Sequence, residues 1–164
     1  QDKLARISAL LNSPVKNIEN KLEAILKQIS VLEKEIKAAK AGEKERFVQE
    51  LLSKATKQED YLLIKAQTEF DTLDELKTIA ESLKTKMQNT IAVLFNLHQD
   101  KLNILCVVST DLIPKYNAGK IVAKLAAELK GKGGGKPDIA MAGGKDLAKL
   151  ASVIEKVPEI INAV

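Results

Sequence analysis

Gly131-Lys132-Gly133-Gly134-Gly135-Lys136-Pro137-Asp138-Ile139-Ala140-Met141-Ala142-Gly143-Gly144-Lys145-Asp146 carries six of the chain's eight glycines in sixteen residues. Glycine tolerates positive φ and lets another backbone come close, so the stretch reads as a glycine-rich loop over 131–145. Its main-chain N–H groups are candidates for an anion-binding concavity, and Lys130, Lys132 and Lys136 add positive charge around it. Asp146 stands where it would cap the next helix, whose N-terminus favours an anion in its own right. The chemistry indicated is contact with a phosphate backbone through Gly133, Gly134, Gly135, Gly143, Gly144 and the three lysines. Two other phosphate loops are excluded. A Walker loop needs a hydroxyl residue after its lysine, but Pro137 follows Lys136 and Asp146 follows Lys145. A dinucleotide fingerprint opens a helix directly after a strand, and this stretch follows a helical pattern instead. A structural turn that packs glycine under a neighbouring strand is the competing reading.

Just upstream of the glycines, Tyr116 to Leu129 has helical spacing, with Ile121, Val122, Leu125, Ala126 and Leu129 on one face. Lys120 and Lys124 extend the basic surface along it. Downstream, a closing helix is expected from about Asp146 to Lys156, with Pro158 starting a last turn. Upstream, Tyr61 to Ala66 reads as a strand and Asp71 to Met87 as a helix. Thr90 to Leu97 and Leu102 to Ser109 read as two strands joined by the turn-like His98-Gln99-Asp100-Lys101, a hairpin pattern. The expected class is α+β or α/β: a small globular domain over 59–164, with a β-sheet flanked by helices.

Residues 1–58 read differently. Leu4, Ile7, Leu10 and Leu11 suit the tail of a helix, which Asn12-Ser13-Pro14 breaks. Ser13 is a suitable N-cap and Pro14 a suitable first helical residue. Val15, Ile18, Leu22, Ile25, Ile29, Leu32 and Ile36 then recur at alternating spacings of 3 and 4, an a/d heptad seam. Gly42 is expected to interrupt it, with a second helix from about Glu43 to Lys57. A narrow apolar seam gains nothing in water until it is covered. This helical, coiled-coil arm therefore calls for another domain or a second copy, and a homodimer through it is one expectation.

Bulk composition narrows the function classes. The 164 residues carry a net charge of +4. Between Lys101 and Lys136 seven lysines face only Asp111 and Glu128, whereas Asp71 to Glu81 is acidic. That polarity suits a polyanionic partner. One cysteine, Cys106, and one histidine, His98, supply neither a disulfide nor the roughly four ligands of a closed zinc site. Cys106 sits in an apolar run and reads as a buried, inert thiol. No apolar stretch reaches the ~18 residues of a membrane span, no secretory leader is visible, and the start at Gln1 reads as a piece of a longer protein.

The string from Gly133 to Gly144 resembles the Gly-Gly-Gly-Arg-Pro-Asp-x-Ala-x-Ala-Gly-Gly signature near the C-terminus of alanyl-tRNA synthetases. The order helix, strand, strand, helix, glycine segment, short helix agrees with that family. Leu4 to Pro14 followed by a heptad helix is similar to the junction after its editing domain, so the resemblance spans essentially the whole chain. Lys136 departs from the usual Arg, losing planar bidentate donors, and Met141 stands where Gln is common.

The resemblance implies a cytoplasmic tRNA-binding and domain-bridging region, non-catalytic by itself, whose parent is an alanine–tRNA ligase. It implies as partners tRNA(Ala), the catalytic and editing domains of the same chain, and in some members a second copy. No cofactor is implied for this region; ATP, magnesium and zinc would belong to the parent's other domains. Two alternatives stand beside it: a purely structural oligomerisation module, and the nucleic-acid-binding module of a DHH-type phosphoesterase. In the latter a histidine typically follows the glycines, and here none does.

Overall fold

The computed structural model describes residues 2–164; Gln1 lies outside them. The chain divides into two compact units, 1–45 and 46–164.

The first unit begins with α1 (Asp2–Leu10), followed by a 3-10 turn at Val15–Asn17 and by α2 (Ile18–Ser53), whose last turns belong to the second unit. Two expectations fail here. Ser13 caps nothing: Pro14 holds the position before the 3-10 turn, in extended geometry, with no side-chain cap. Ser13 is used instead to close α1, taking a hydrogen bond from the Ser8 hydroxyl on its carbonyl. Gly42 does not interrupt the helix, which runs through it unbroken. A helical glycine costs about 1 kcal/mol relative to alanine, and strong helix formers on both sides (Ala38, Ala39, Lys40, Ala41, Glu43, Lys44) absorb it. The heptad positions Val15, Leu22, Ile29, Leu32 and Ile36 are 46–57% exposed, and Leu26 and Val31 are exposed as well.

The second unit is a six-stranded mixed sheet in the order β1-β2-β3-β4-β6-β5. Its strands are β1 (Thr56–Lys57), β2 (Leu62–Thr68), β3 (Thr90–His98), β4 (Lys101–Val108), β5 (Lys132–Gly135) and β6 (Ile139–Gly144). Only β2 and β3 are parallel, and α3 (Leu73–Lys86) makes the crossover between them. Thr72 caps α3, its hydroxyl accepting from Glu75 N–H. Asn117 caps α4 (Ala118–Glu128) in the same way, through Lys120 N–H.

Alternation decides the layers. On β3, Ile91, Val93 and Phe95 face α4 and the closing helices, while Ala92 and Leu94 face α3 and the end of α2. On β4, Ile104 and Cys106 take the first side, Leu105 and Val107 the second. A strand buried on both faces reads as a continuous apolar run, which is why both were legible. Each buried Val, Leu, Ile or Phe among them stabilises the fold by about 1.5–3 kcal/mol. Cys106 is wholly buried, and desolvation pushes its thiol up, as an inert core cysteine requires.

The glycine-rich stretch is not a loop. It is the β5–β6 hairpin, and β6 pairs with β4, so it completes the sheet. No glycine has positive φ. The left-handed residue is Lys130 (φ 52°), where α4 closes: Gly131 N–H donates to Ala126 O at 2.7 Å and Lys130 N–H to Ala127 O at 3.1 Å. Glycine usually occupies that left-handed position. Here it comes one residue later, because a Cβ on Gly131 would lie 1.7 Å from Gly143 O. The expected closing helix is also broken up, into a 3-10 turn at Leu147–Lys149, α5 (Leu150–Glu155) and α6 (Val157–Asn162). Asp146 makes no cap; its carboxylate is drawn to Lys130 Nζ at 3.2 Å.

Clearance along β5 differs sharply between neighbours. A Cβ on Gly133 would sit 2.2 Å from Ala142 Cβ, whereas one on Gly134 would meet nothing within 4 Å. Gly133→Ala is expected to destabilise the chain by about 1–3 kcal/mol through overpacking. Gly134→Ala is expected to be neutral or slightly stabilising. Denaturant midpoints of the two variants check this.

Candidate nucleic-acid interface

The tip of the hairpin is held from three sides. Lys136 N–H donates to Ile139 O at 3.1 Å, closing the turn, and Ala118 N–H, in the first turn of α4, donates to Pro137 O at 2.8 Å. Val108 N–H, at the end of β4, donates to Asp138 O at 2.8 Å. Lys84 of α3 reaches Asp138 Oδ2 at 2.6 Å. That hydrogen bond holds the Asp138 carboxyl below the usual carboxylate range and raises Lys84. Sequence reasoning missed both residues. Asp138 stood in the glycine-rich string with no role assigned to it, and nothing in the sequence pointed across 54 positions to Lys84.

The pair's contribution to stability is present above the unfolded carboxylate pKa of about 3.9. It is lost as pH falls through the lowered folded value. Asp138→Asn is therefore expected to lower the thermal midpoint at pH 7, with the gap to the unaltered chain closing towards pH 2. Thermal melts across that range read it.

All four β5 residues are exposed. The closing bond from Lys136 N–H to Ile139 O sets the ladder's phase. Antiparallel pairs alternate between bonded and non-bonded residues, so the register turns the amides of Lys132 and Gly134 inward to β6. It turns those of Gly133 and Gly135 away from it. The strand is thus a sheet edge with its main chain uncovered by side chains.

Of the candidate residues, Lys132, Gly133, Gly134, Gly135 and Lys136 lie along this edge or at its end, and Lys130 immediately precedes it. Gly143 and Gly144 end β6 and are half-buried. Gly144 is tight: a Cβ there would lie 2.8 Å from Leu102 Cδ2. Lys120 is exposed in the first turn of α4, next to Gly119, whose Cβ would lie 2.7 Å from Gly135 O. Lys124, one turn further on, donates to Ala163 O beyond α6. It is the one member of the set turned to a different part of the surface. Met141 is half-buried against the α3 side of the core and takes no part in the edge. Among the described residues there is no cluster of His, Cys, Asp and Glu arranged to hold a metal ion. No helix among the described residues is long and apolar enough to cross a membrane.

The DHHA1 domain model matches residues 60–163. Alanine–tRNA ligases from Dehalococcoides mccartyi strain BAV1 and Albidiferax ferrireducens are similar along nearly the whole chain, at 36% and 31% identity over 98% and 99% of it. The chain spans 19% of the length of those relatives. The crystal structure of the C-Ala domain from Aquifex aeolicus alanyl-tRNA synthetase superposes with a TM-score of 0.61 at 28% identity, over 66% of this chain and 97% of that one. A DHH-domain protein, PF0399, shares the fold at a TM-score of 0.52 and 15% identity, over 82% of this chain and 34% of that one. The matched model covers well over half of the residues: the chain belongs to the DHHA1 domain family, in the form that alanine–tRNA ligases carry in their C-terminal region.

Proposed function

We propose that this chain is the tRNA-docking and domain-bridging region of a cytoplasmic alanine–tRNA ligase, with no catalytic step and no cofactor of its own. The carrying observation is the exposed glycine edge of β5, set between Lys130, Lys132 and Lys136. A strand without side chains lets an RNA backbone approach main-chain amides directly. Gly133 and Gly135 N–H groups donate to phosphate oxygens, and the lysines supply charge without demanding a base sequence. With two tyrosines, three phenylalanines and no tryptophan in the chain, recognition rests on backbone and shape more than on stacking. Lys120 extends the basic surface, and Lys124 joins it once released from Ala163 O. The ligand is tRNA(Ala), presented to catalytic and editing domains of the same chain, where ATP, magnesium and zinc would act.

Affinity of this kind falls with salt as counterions are released. Changing Lys130, Lys132 and Lys136 together to Ala is expected to weaken tRNA binding and to reduce the salt slope by about three, near one per phosphate contact. Gel shifts at two salt concentrations measure it, and an unchanged affinity contradicts the assignment.

A second role rests on a separate observation. The heptad seam from Val15 to Ile36 is half-exposed within its own unit, and large apolar patches mark association sites. A second copy covering this seam makes the arm a coiled-coil dimer. Sedimentation is expected to show a concentration-dependent dimer that Ile29→Lys abolishes; a monomer at all concentrations rejects it.

A further inference from the structure

We propose that the cleft between the β2–α3 connection, the β3–β4 turn and the end of β6 binds a single ribonucleotide. It rests on the RNA reading of β5. The cleft has a volume of about 790 Å³, inside the roughly 300–1,000 Å³ range of small-molecule sites. Its floor is apolar, from Phe70, Leu73 and Leu102, and polar groups converge on it from three segments.

The wall is built in advance. Asn96 is buried, and its side-chain amide spans the connection after β2. Oδ1 accepts from Phe70 N–H at 2.6 Å and from the Thr68 hydroxyl at 3.0 Å, and Nδ2 donates to Phe70 O at 3.1 Å. Opposite, Gln99 and Asp100 both hold left-handed φ (46° and 60°) in the two-residue turn between β3 and β4. That turn favours Asn-Gly. The chain keeps two larger polar side chains there against the conformational cost, a pattern that recurs at binding sites.

The polar groups select the ligand. Lys101 and Lys145 are exposed at the rim and join no ion pair among the described residues. His98 Nδ1 is shut off from solvent and has no hydrogen-bond partner there; Asp71 Oδ1 lies 3.5 Å away, out of alignment. Asp71 and Asp100 also line the cleft. Two carboxylates beside two ammonium groups hold a bare phosphate poorly. A ligand carrying a phosphate together with hydroxyl donors satisfies both signs, and a ribonucleotide is that ligand: phosphate to the lysines, ribose hydroxyls to the carboxylates, and the base against the exposed part of the His98 ring. Gly144 and Lys145 connect this cleft to β6, whose ladder with β5 begins at the Lys132–Gly143 pair. A strand lying on the glycine edge therefore arrives at the cleft, where one nucleotide splayed from its stack enters it.

The test uses the full 164-residue chain. Amide and imidazole NMR shifts are followed during titration with the four ribonucleoside monophosphates, their deoxy counterparts and inorganic phosphate. At least one ribonucleotide is expected to shift Phe70, His98, Lys101 and Lys145, with a Kd of about 1 mM. The deoxy form should be weaker, and inorganic phosphate should leave His98 unmoved. Because both lysines are exposed, Lys101→Ala with Lys145→Ala should fold, and it should weaken binding at least about tenfold. No localised shift at 10-fold higher concentrations, equal response to phosphate alone, or shifts confined to β5 would overturn it. The β5 reading is tested separately: the Lys130, Lys132 and Lys136 triple change should weaken tRNA binding and leave mononucleotide shifts in the cleft intact, whereas unchanged tRNA affinity sinks the β5 reading alone.

Discussion

The structure turns on how closely β5 approaches its neighbours. Gly131, Gly133 and Gly135 each lie where a Cβ would meet another backbone within 2.8 Å, at Gly143, Ala142 and Ala140 in turn. This contact closes the sheet edge over β6. Leu129 O then receives both Lys145 N–H and Asp146 N–H, so the same closure ties the end of α4 to the segment leaving β6. Glycine serves here by what it lacks, not by reaching unusual dihedrals. Removing side chains from an edge strand also leaves its backbone exposed, so the packing requirement and the surface proposed to accept an anion share one cause.

Two polar brackets hold the parts that apolar packing does not reach. Lys84 and Asp138 join α3 to the hairpin tip across one side of the sheet. Asn96 joins β3 to the connection that precedes α3. A buried side-chain amide is stabilising only when its groups are paired, and Asn96 has both its oxygen and its nitrogen paired. Tyr61 and Tyr116 form a third tie on the α4 side. Their rings meet edge to face at 5.1 Å, and the Tyr61 hydroxyl donates to Asn162 of α6. Burial pushes that phenol up to about 12, with Tyr116 adding to the shift, so it remains a donor throughout the range in which RNA is handled.

The two units leave opposite kinds of surface open. Residues 1–45 expose an apolar heptad stripe, which gains free energy only when covered. Residues 46–164 expose a glycine edge flanked by lysines, of which Lys130 is paired with Asp146; in the proposed role this edge gains by neutralising a polyanion. One suits a protein surface and the other a nucleic acid.

Much of this was legible from the residues. The β3–β4 hairpin, α3 and α4 followed from apolar spacing, because Ile91 to Phe95 and Ile104 to Val108 are buried on both faces and leave unbroken runs. The inert Cys106 was legible for the same reason: an unbroken apolar run records a strand that avoids water on both faces. The glycine segment was not. Its string marked the family, but KGGG carries no apolar alternation, so it offered no strand signal, and only pairing with β6 makes it one. Gly42 looked like a break and is none, since continuity depends on the flanking residues as much as on the glycine itself. Lys84 with Asp138, and the cleft around His98, Lys101 and Lys145, unite residues far apart along the chain. Local pattern carries no record of such meetings; the sheet order creates them, because strand pairing alone sets which ends of which elements lie side by side.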